Sequence, residues 1–516
     1  MDTDSSGLTP VRATLLAVVP VCLLKLLLHG LCLTDYGYFR DELYYVASTY
    51  HIDFGYVEHP PLFIWLLKVW TMMFGESIAA IRSLSVLAGT SLVLTTGFLA
   101  RAMGGRIFSQ VLAALAVAIA PVLLGTQHFY SMNVFDQLFW GLGALALIPI
   151  VRGGERRDWI LLGVVLGLGL INKISVLFLG AGIGVALLLS PQRRALATPW
   201  PWVAATIALV MFLPYVIWQA ARGFPLLEFM RNATEQKMTN PPAGEFLMQQ
   251  VLNMGLLNSA IYLAGLIGIF AVKDLKPWRF FVIVFLTVVV ILIGSGSNKA
   301  YYLAPAYPFL LVPGALVVER LFAKPVWKKV GVVYAALMVI AGVLSAPMAI
   351  PLLPVEKFIS YQQSLGIELK AEERNTLGPL PQHFADMFGW EEYVAEISRQ
   401  FHALPKEDQA RCGIFVRNYG EAGAIDVLGK KYGLPRAVSG HNTYWFWGPG
   451  SYDGSVMIMV GGRIEDEAPS FESIVRIGTT PDSKYSMPYE RNRPIYLCRN
   501  IKIPLEQAWK RSKMFI

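Results

Sequence analysis

The stretch YGYFRDELYYVA, residues 36–47, sets two adjacent carboxylates, Asp41 and Glu42, a few residues beyond an apolar run. A charge that close to hydrocarbon is costly unless it meets water, a counter-ion or a substrate. Reading these twelve residues therefore means deciding what kind of chain surrounds them.

The chain of 516 residues is 55% hydrophobic and only 16% charged, with a mean hydropathy of +0.48. That is more apolar and less charged than ordinary soluble domains, and it reads as an integral membrane protein. Apolar runs occupy 11–33, 77–100, 107–125, 137–151, 159–171, 175–190, 202–219, 255–272, 279–294, 303–318 and 330–347. At roughly 20 residues per crossing these give about eleven spans, the shorter ones with ill-defined ends. The run 11–33 is too long for a signal-peptide core and lacks a small-residue cleavage site, so it reads as a retained span.

Beyond Pro354 charge, Gly and Pro mix as in a soluble domain. Helical signals near 385–403 and 421–432 alternate there with the strand candidates CGIFVRN and SVMIMVGG. The fold class expected is mainly α: a polytopic membrane domain over 1–350 with outward loops at 34–76 and 220–254, then a soluble α/β domain over 351–516.

Short basic clusters alternate with the spans: Arg101 and Arg106; Arg152, Arg156 and Arg157; Arg193 and Arg194; Lys273, Lys276 and Arg279; and Arg320, Lys324, Lys328 and Lys329. By the positive-inside rule these face the cytoplasm. Asp41, Glu42, Asp136, residues 220–254 and Asn298–Lys299 then face outward, as does the C-terminal domain when the number of spans is odd. Much of the net charge of +8 sits at span ends, where orientation explains it, so no nucleic-acid partner is expected. The interrupted but aromatic stretch 34–76 reads as short interfacial helices. Cys22, Cys32, Cys412 and Cys498 lack metal-motif spacing, and a Cys412–Cys498 disulfide is open to the sequence.

Each polar motif has a bland reading beside its functional one. In RDE, Arg40 can simply pair with Asp41 in a solvated loop. In YVEHPPLFIW (56–65), Glu58 and His59 precede a double proline that fixes an extended backbone, which also suits a helix start or a His packed beside the prolines. In QHFYSMNVFDQLFW (127–140), Asp136 occupies an ordinary helix N-terminal position as well as a site position. Taken together, these acids and the outward cations Lys173, Arg222, Arg231, Lys237 and Lys299 suit a nucleophile activated by a general base and a phosphate leaving group held by positive charge. The segment 417–450, with Glu421, His441, Asn442 and four close aromatics, suits carbohydrate contact or a Trp-rich core edge. No Walker loop or dinucleotide glycine pattern is present to cradle a soluble nucleotide sugar.

The order RDELYY, EHPPLFIW, NVFDQLF, GLGLINK and NKAYYLAPAYP, over roughly residues 30 to 310, resembles the GT-C glycosyltransferases of family thirty-nine, which include protein O-mannosyltransferases and the lipid A aminoarabinose transferase. The resemblance implies a polyprenyl-phosphate sugar donor used on the outer face of the plasma membrane, a lipid, glycan or protein acceptor, and inversion at the anomeric carbon. It makes Asp41 the general base, with Glu42 completing the acidic pair and Asp136 as the second acidic position. Glu58 matches the glutamate of an EKPPL-like motif that helps bind a divalent metal cation. His59 stands where the family has lysine; it removes a fixed phosphate-binding charge, yet protonated it would partly substitute, and with Glu58 it would offer metal ligands. Lys299, Tyr301 and Tyr302 fit the segment facing the lipid phosphate, beside the reading as an interfacial Lys and aromatic belt. Arg231 and Lys237 lie in a stretch placed like the mobile loop over the donor site.

Three rivals stand beside a transferase. A lipid-linked glycan ligase or polymerase would use the same loop chemistry and differ in product size. A transporter or flippase would place its acids deep within spans and show broken helices or inverted repeats. A membrane-anchored sensor leaves the convergence of polar residues outside the spans unexplained.

Overall fold

The computed structural model describes residues 9–295, 299–371 and 373–516; Asn298, named above, lies outside them. The chain divides into two compact units: Met1–Leu33, Arg82–Ile217 and Asn240–Phe358 form the first; Thr34–Ile81, Trp218–Thr239 and Ile359–Ile516 form the second. The boundary expected at residue 350 is therefore incomplete. Residues 34–81 and 218–239 join the C-terminal segment instead of the membrane helices, because the short helix Arg40–Ser48 buries its apolar residues there.

The first unit is helical. Every apolar run foreseen in the sequence holds helix, but among the described residues six helices are long and apolar enough to cross a bilayer alone, and up to nine spans result if each bent pair counts as one. The expectation of about eleven is corrected by the breaks. Helix Ile107–Ile119 stops before Pro121, which has no N–H to continue the ladder, and its 13 residues reach about 20 Å against a hydrocarbon core of about 30 Å. Bends of 107° and 113° interrupt the pairs Val176–Leu189 with Pro191–Ala197 and Ala243–Met254 with Leu256–Ala271. The spans pack through small residues. A Cβ on Gly265 would lie 2.1 Å from the Leu310 carbonyl oxygen and one on Gly314 1.9 Å from that of Ile261, so only glycine lets these backbones touch.

In the stretch 34–76 the second unit carries two short helices, Arg40–Ser48 and Leu62–Phe74; the latter buries Phe63, Ile64 and Leu67 and exposes Val69, Met72, Met73 and Phe74. The region 220–254 is not a loop. It forms the helix Pro225–Asn232, a wide turn Ala233–Lys237 and the helix Ala243–Met254 of the first unit.

A five-stranded sheet is built from β1 (Cys412–Phe415), β2 (Ala437–Val438), β3 (Val456–Val460), β4 (Phe471–Thr479) and β5 (Pro494–Ile501), in the order β2-β1-β3-β5-β4. β1 pairs parallel with β2 and β3; β5 is antiparallel to β3 and β4, with an irregularity at Arg476/Gly478. Both quoted strand candidates and both C-terminal helical signals lie on these elements, the helices being Trp390–His402 and Tyr419–Leu428. Cys412 and Cys498 are free thiols on β1 and β5 with β3 between them, about 10 Å apart at two strand spacings and beyond disulfide reach.

Candidate functional site

Asp41 lies in the first turn of the helix Arg40–Ser48, where a negative charge complements the unpaired N–H groups. The Tyr419 hydroxyl donates to its Oδ1 at 2.9 Å, and Arg40 Nε stands 3.4 Å from the same oxygen. Arg40 also donates to the Tyr489 hydroxyl at 2.7 Å, lies 3.7 Å from Asp386, and rests 5.5 Å over the Tyr419 ring. The bland pairing of Arg40 with Asp41 is thus one edge of a larger hub. The Asp41 side chain keeps 26% of its surface open.

Glu42 is fully buried, and its Oε2 accepts the Phe39 N–H at 2.9 Å. It satisfies one of the orphan donors at the helix start, a structural duty beside its expected place in the acidic pair with Asp41.

Glu58 stands near two polar side chains of the C-terminal segment, Asn442 Nδ2 at 3.4 Å and Thr443 Oγ1 at 3.5 Å. Burial pushes its carboxyl up to about 7, and the charge of Asp41 adds to the rise.

His59 is fully buried among the rings of Tyr44, Tyr45, Tyr56 and Phe63, with centroids 6.2, 5.7, 4.8 and 4.6 Å away. Its Nδ1 lies 3.1 Å from the Pro60 carbonyl, and burial drives its pKa down to about 3. The ring is neutral and packs as part of an aromatic core, so a protonated His59 does not replace the family lysine. As a metal site, Glu58 and His59 supply two donors, fewer than the three or four of a zinc site. Among the described residues no group of three His, Cys, Asp or Glu is placed to hold an ion. The steps below are derived from the side chains of the chain alone.

Arg231 is three-quarters exposed and 3.8 Å from Glu235 one turn on; Lys237 lies 3.8 Å from Glu373. The Trp-rich segment follows its core-edge reading. Glu421 is buried against Arg493 and accepts the Arg417 N–H, while His441 accepts the Tyr419 N–H and lies 2.8 Å from the Ile516 oxygen.

In the membrane unit, Ser131 caps the helix Met132–Val151, accepting the Asn133 N–H, and Asp136 follows one turn later. Asp136 is fully buried; Ser175 Oγ lies 2.8 and 2.7 Å from its two oxygens, and Lys173 Nζ is 3.6 Å away. Lys173 also donates to Asn133 at 2.7 Å and sits 5.4 Å over the Tyr302 ring. Tyr302 meets Tyr301 edge-on at 4.8 Å, and Lys299 precedes their short helix Ala300–Ala306. The structure thus brings Asp41 together with Glu58 in one unit, and Asp136 with Lys173 and Tyr302 in the other. Tyr419 and Ser175 were missed by sequence reasoning. A capped helix with glycines at its second and fifth positions signals close packing, but nothing local says against what.

Residues 58–218 match the family model described as dolichyl-phosphate-mannose-protein mannosyltransferase. The lipid A galacturonosyltransferase RgtD of Rhizobium johnstonii is 27% identical over 208 residues, 40% of this chain and 43% of that one. An undecaprenyl phosphate-alpha-4-amino-4-deoxy-L-arabinose arabinosyl transferase of Pseudomonas aeruginosa is 24% identical over 297 residues, 53% of this chain and 52% of that one. The chain covers about half the length of the curated relatives it matches. Among solved structures, ArnT from Cupriavidus metallidurans bound to undecaprenyl phosphate superposes with a TM-score of 0.60 at 14% identity, over 93% of this chain and 97% of that one. With several membrane-spanning helices, a small mixed sheet and a fold match over nearly its whole length, this chain is a multi-pass membrane protein with the GT-C glycosyltransferase fold.

Proposed function

We propose that the chain is a glycosyltransferase that moves a sugar from a polyprenyl-phosphate donor to a lipid A-type glycolipid on the outer face of the membrane, with Asp41 as general base. The observation that carries this reading is the pairing of two carboxyl groups in unlike settings. Asp41 is part-open to solvent at a helix N-terminus, whereas Glu58 is held up at about 7 by burial. Neighbouring acids whose environments differ in this way suit proton transfer near neutral pH. The named activities of the relatives supply the substrate class.

In this reaction an acceptor hydroxyl or amine gives its proton to Asp41 as it attacks the anomeric carbon. The bond from that carbon to the phosphate oxygen breaks, and the electron pair leaves with the polyprenyl phosphate. Arg231 and Lys237 are the proposed cations for the phosphate in the second unit. Lys299, Tyr301 and Tyr302 are the alternative set for that role, in the first unit, where Lys173 adds a cation already held against Tyr302. Asp136, with both oxygens engaged, orients its neighbours and does not take the proton.

The test is transfer of radiolabelled sugar from polyprenyl-phosphate donors by purified protein, with lipid A as acceptor. Asp41→Asn is expected to lower kcat about 10²–10⁴-fold with the fold intact. Transfer at the wild-type rate by the variant would remove Asp41 from the mechanism, and long glycan products would favour the ligase reading.

A further inference from the structure

The helix Tyr419–Leu428 starts at Asn418, whose side chain accepts the Glu421 N–H at 2.9 Å. Its second and fifth residues are glycines, and both face the helix Arg40–Ser48. A Cβ on Gly423 would fall 2.7 Å from the Leu43 carbonyl carbon and 2.8 Å from the Tyr44 nitrogen; one on Gly420 would fall 2.3 Å from Arg40 Cγ. Backbone can approach backbone this closely only where no side chain intervenes, so the glycines set the distance between the two helices.

That approach delivers the first residue of the helix to Asp41. The Tyr419 ring is held against Tyr44 at 4.9 Å and His441 at 4.8 Å, and its backbone N–H donates to His441 Nδ1. Burial keeps the phenol protonated, well above its ordinary value, so the hydroxyl is a donor. Both donors that reach Asp41, Tyr419 Oη and Arg40 Nε, engage Oδ1. Among the described residues no hydrogen bond or ion pair reaches Oδ2.

We propose that Tyr419 is a positioning residue for Asp41: with Arg40 it occupies Oδ1 and fixes the carboxylate so that Oδ2 is the atom that takes the acceptor's proton. This rests on the reading of Asp41 as the base. It gives the C-terminal segment a part in the reaction without contact with the reacting atoms. The acceptor O–H or N–H bond breaks towards Oδ2 as the new bond to the anomeric carbon forms and the phosphate leaves with its electron pair.

The experiment is steady-state transfer by the full-length protein across a range of pH. Tyr419→Phe removes one charge-assisted hydrogen bond, so the carboxylate loses its fixed orientation and gains basicity. The expected result is a fall in kcat of about tenfold or more with KM unchanged, and an acidic limb of the rate profile moved to higher pH by about one unit. Difluorotyrosine at position 419, a stronger donor of the same shape, moves that limb the other way and keeps the test open if the phenylalanine variant folds poorly. A merely structural tyrosine would shift neither limb. Wild-type kcat and pH profile in Tyr419→Phe, with Asp41→Asn inactive, would overturn the positioning role and leave the base in place. Wild-type transfer by Asp41→Asn would overturn both.

Discussion

Asp136 and Asp41 are two acids in two regions that treat a charge differently. In the membrane unit Asp136 has no exposed surface, Ser175 hydrogen-bonds its carboxylate and Lys173 stands beside it. In the second unit Asp41 has one oxygen engaged and a quarter of its surface open. A bilayer offers no water to complete a partial set of contacts, so a buried carboxylate there must be satisfied by the protein. Where water reaches, an oxygen can be left open for chemistry. Completeness of hydrogen bonding, more than the residue type, separates the two.

The comparison is tested most severely by deleting each acid. Asp136→Ala strands Lys173 and Ser175 and is expected to cost about 3–5 kcal/mol, read as a fall in the melting temperature of the detergent-solubilised protein. Asp41→Ala, by contrast, should stay within about 1 kcal/mol of the parent while losing transfer. Equal stability losses would dissolve the distinction.

A smaller effect is expected where the second unit is packed as tightly as any span. Gly423→Ala forces a methyl group into the Leu43–Tyr44 backbone and should destabilise by about 1–3 kcal/mol, measured by denaturant or thermal unfolding. No loss of stability would mean that the two helices can part without consequence.

The smallest effect sharpens the electrostatic side. Glu58 ionises near 7 in the folded chain against an ordinary 4.5. Between those values the folded state holds a proton that the unfolded state has lost. Stability therefore declines as pH rises through that window and levels off above it. His59 and His441, both driven down to about 3, add the opposite slope on the acid side, so the contribution of Glu58 is read as the difference between wild type and Glu58→Gln. Identical slopes in the two proteins would show that Glu58 does not carry the raised pKa.

Much of the element order was legible because apolar runs and strand alternation are local signals. The span count was not, since a break such as that at Pro121 divides a run that hydropathy reads as continuous. In the site, Asp41 could be singled out by its charge next to an apolar run. Glu42 carried a readable clue, lying three residues after an extended Phe39 in the position from which a carboxylate reaches back to a helix start. His59 held both readings in sequence, and the four surrounding rings decide for the packed one. Tyr419 was out of reach: it is 378 residues from Asp41, and only the crossing of two helices joins them.

The outer strand of the sheet also bears on how copies of this protein meet. β4 is nine residues long with four of them exposed, and an unpaired edge of that length is a template for another chain. Glu472 and Arg476 put charge on it, and the irregularity at Arg476/Gly478 breaks the even spacing of its free N–H and C=O groups. In a crowded bilayer, where neighbours are confined to two dimensions, such an edge discourages strand-to-strand aggregation between copies of the chain.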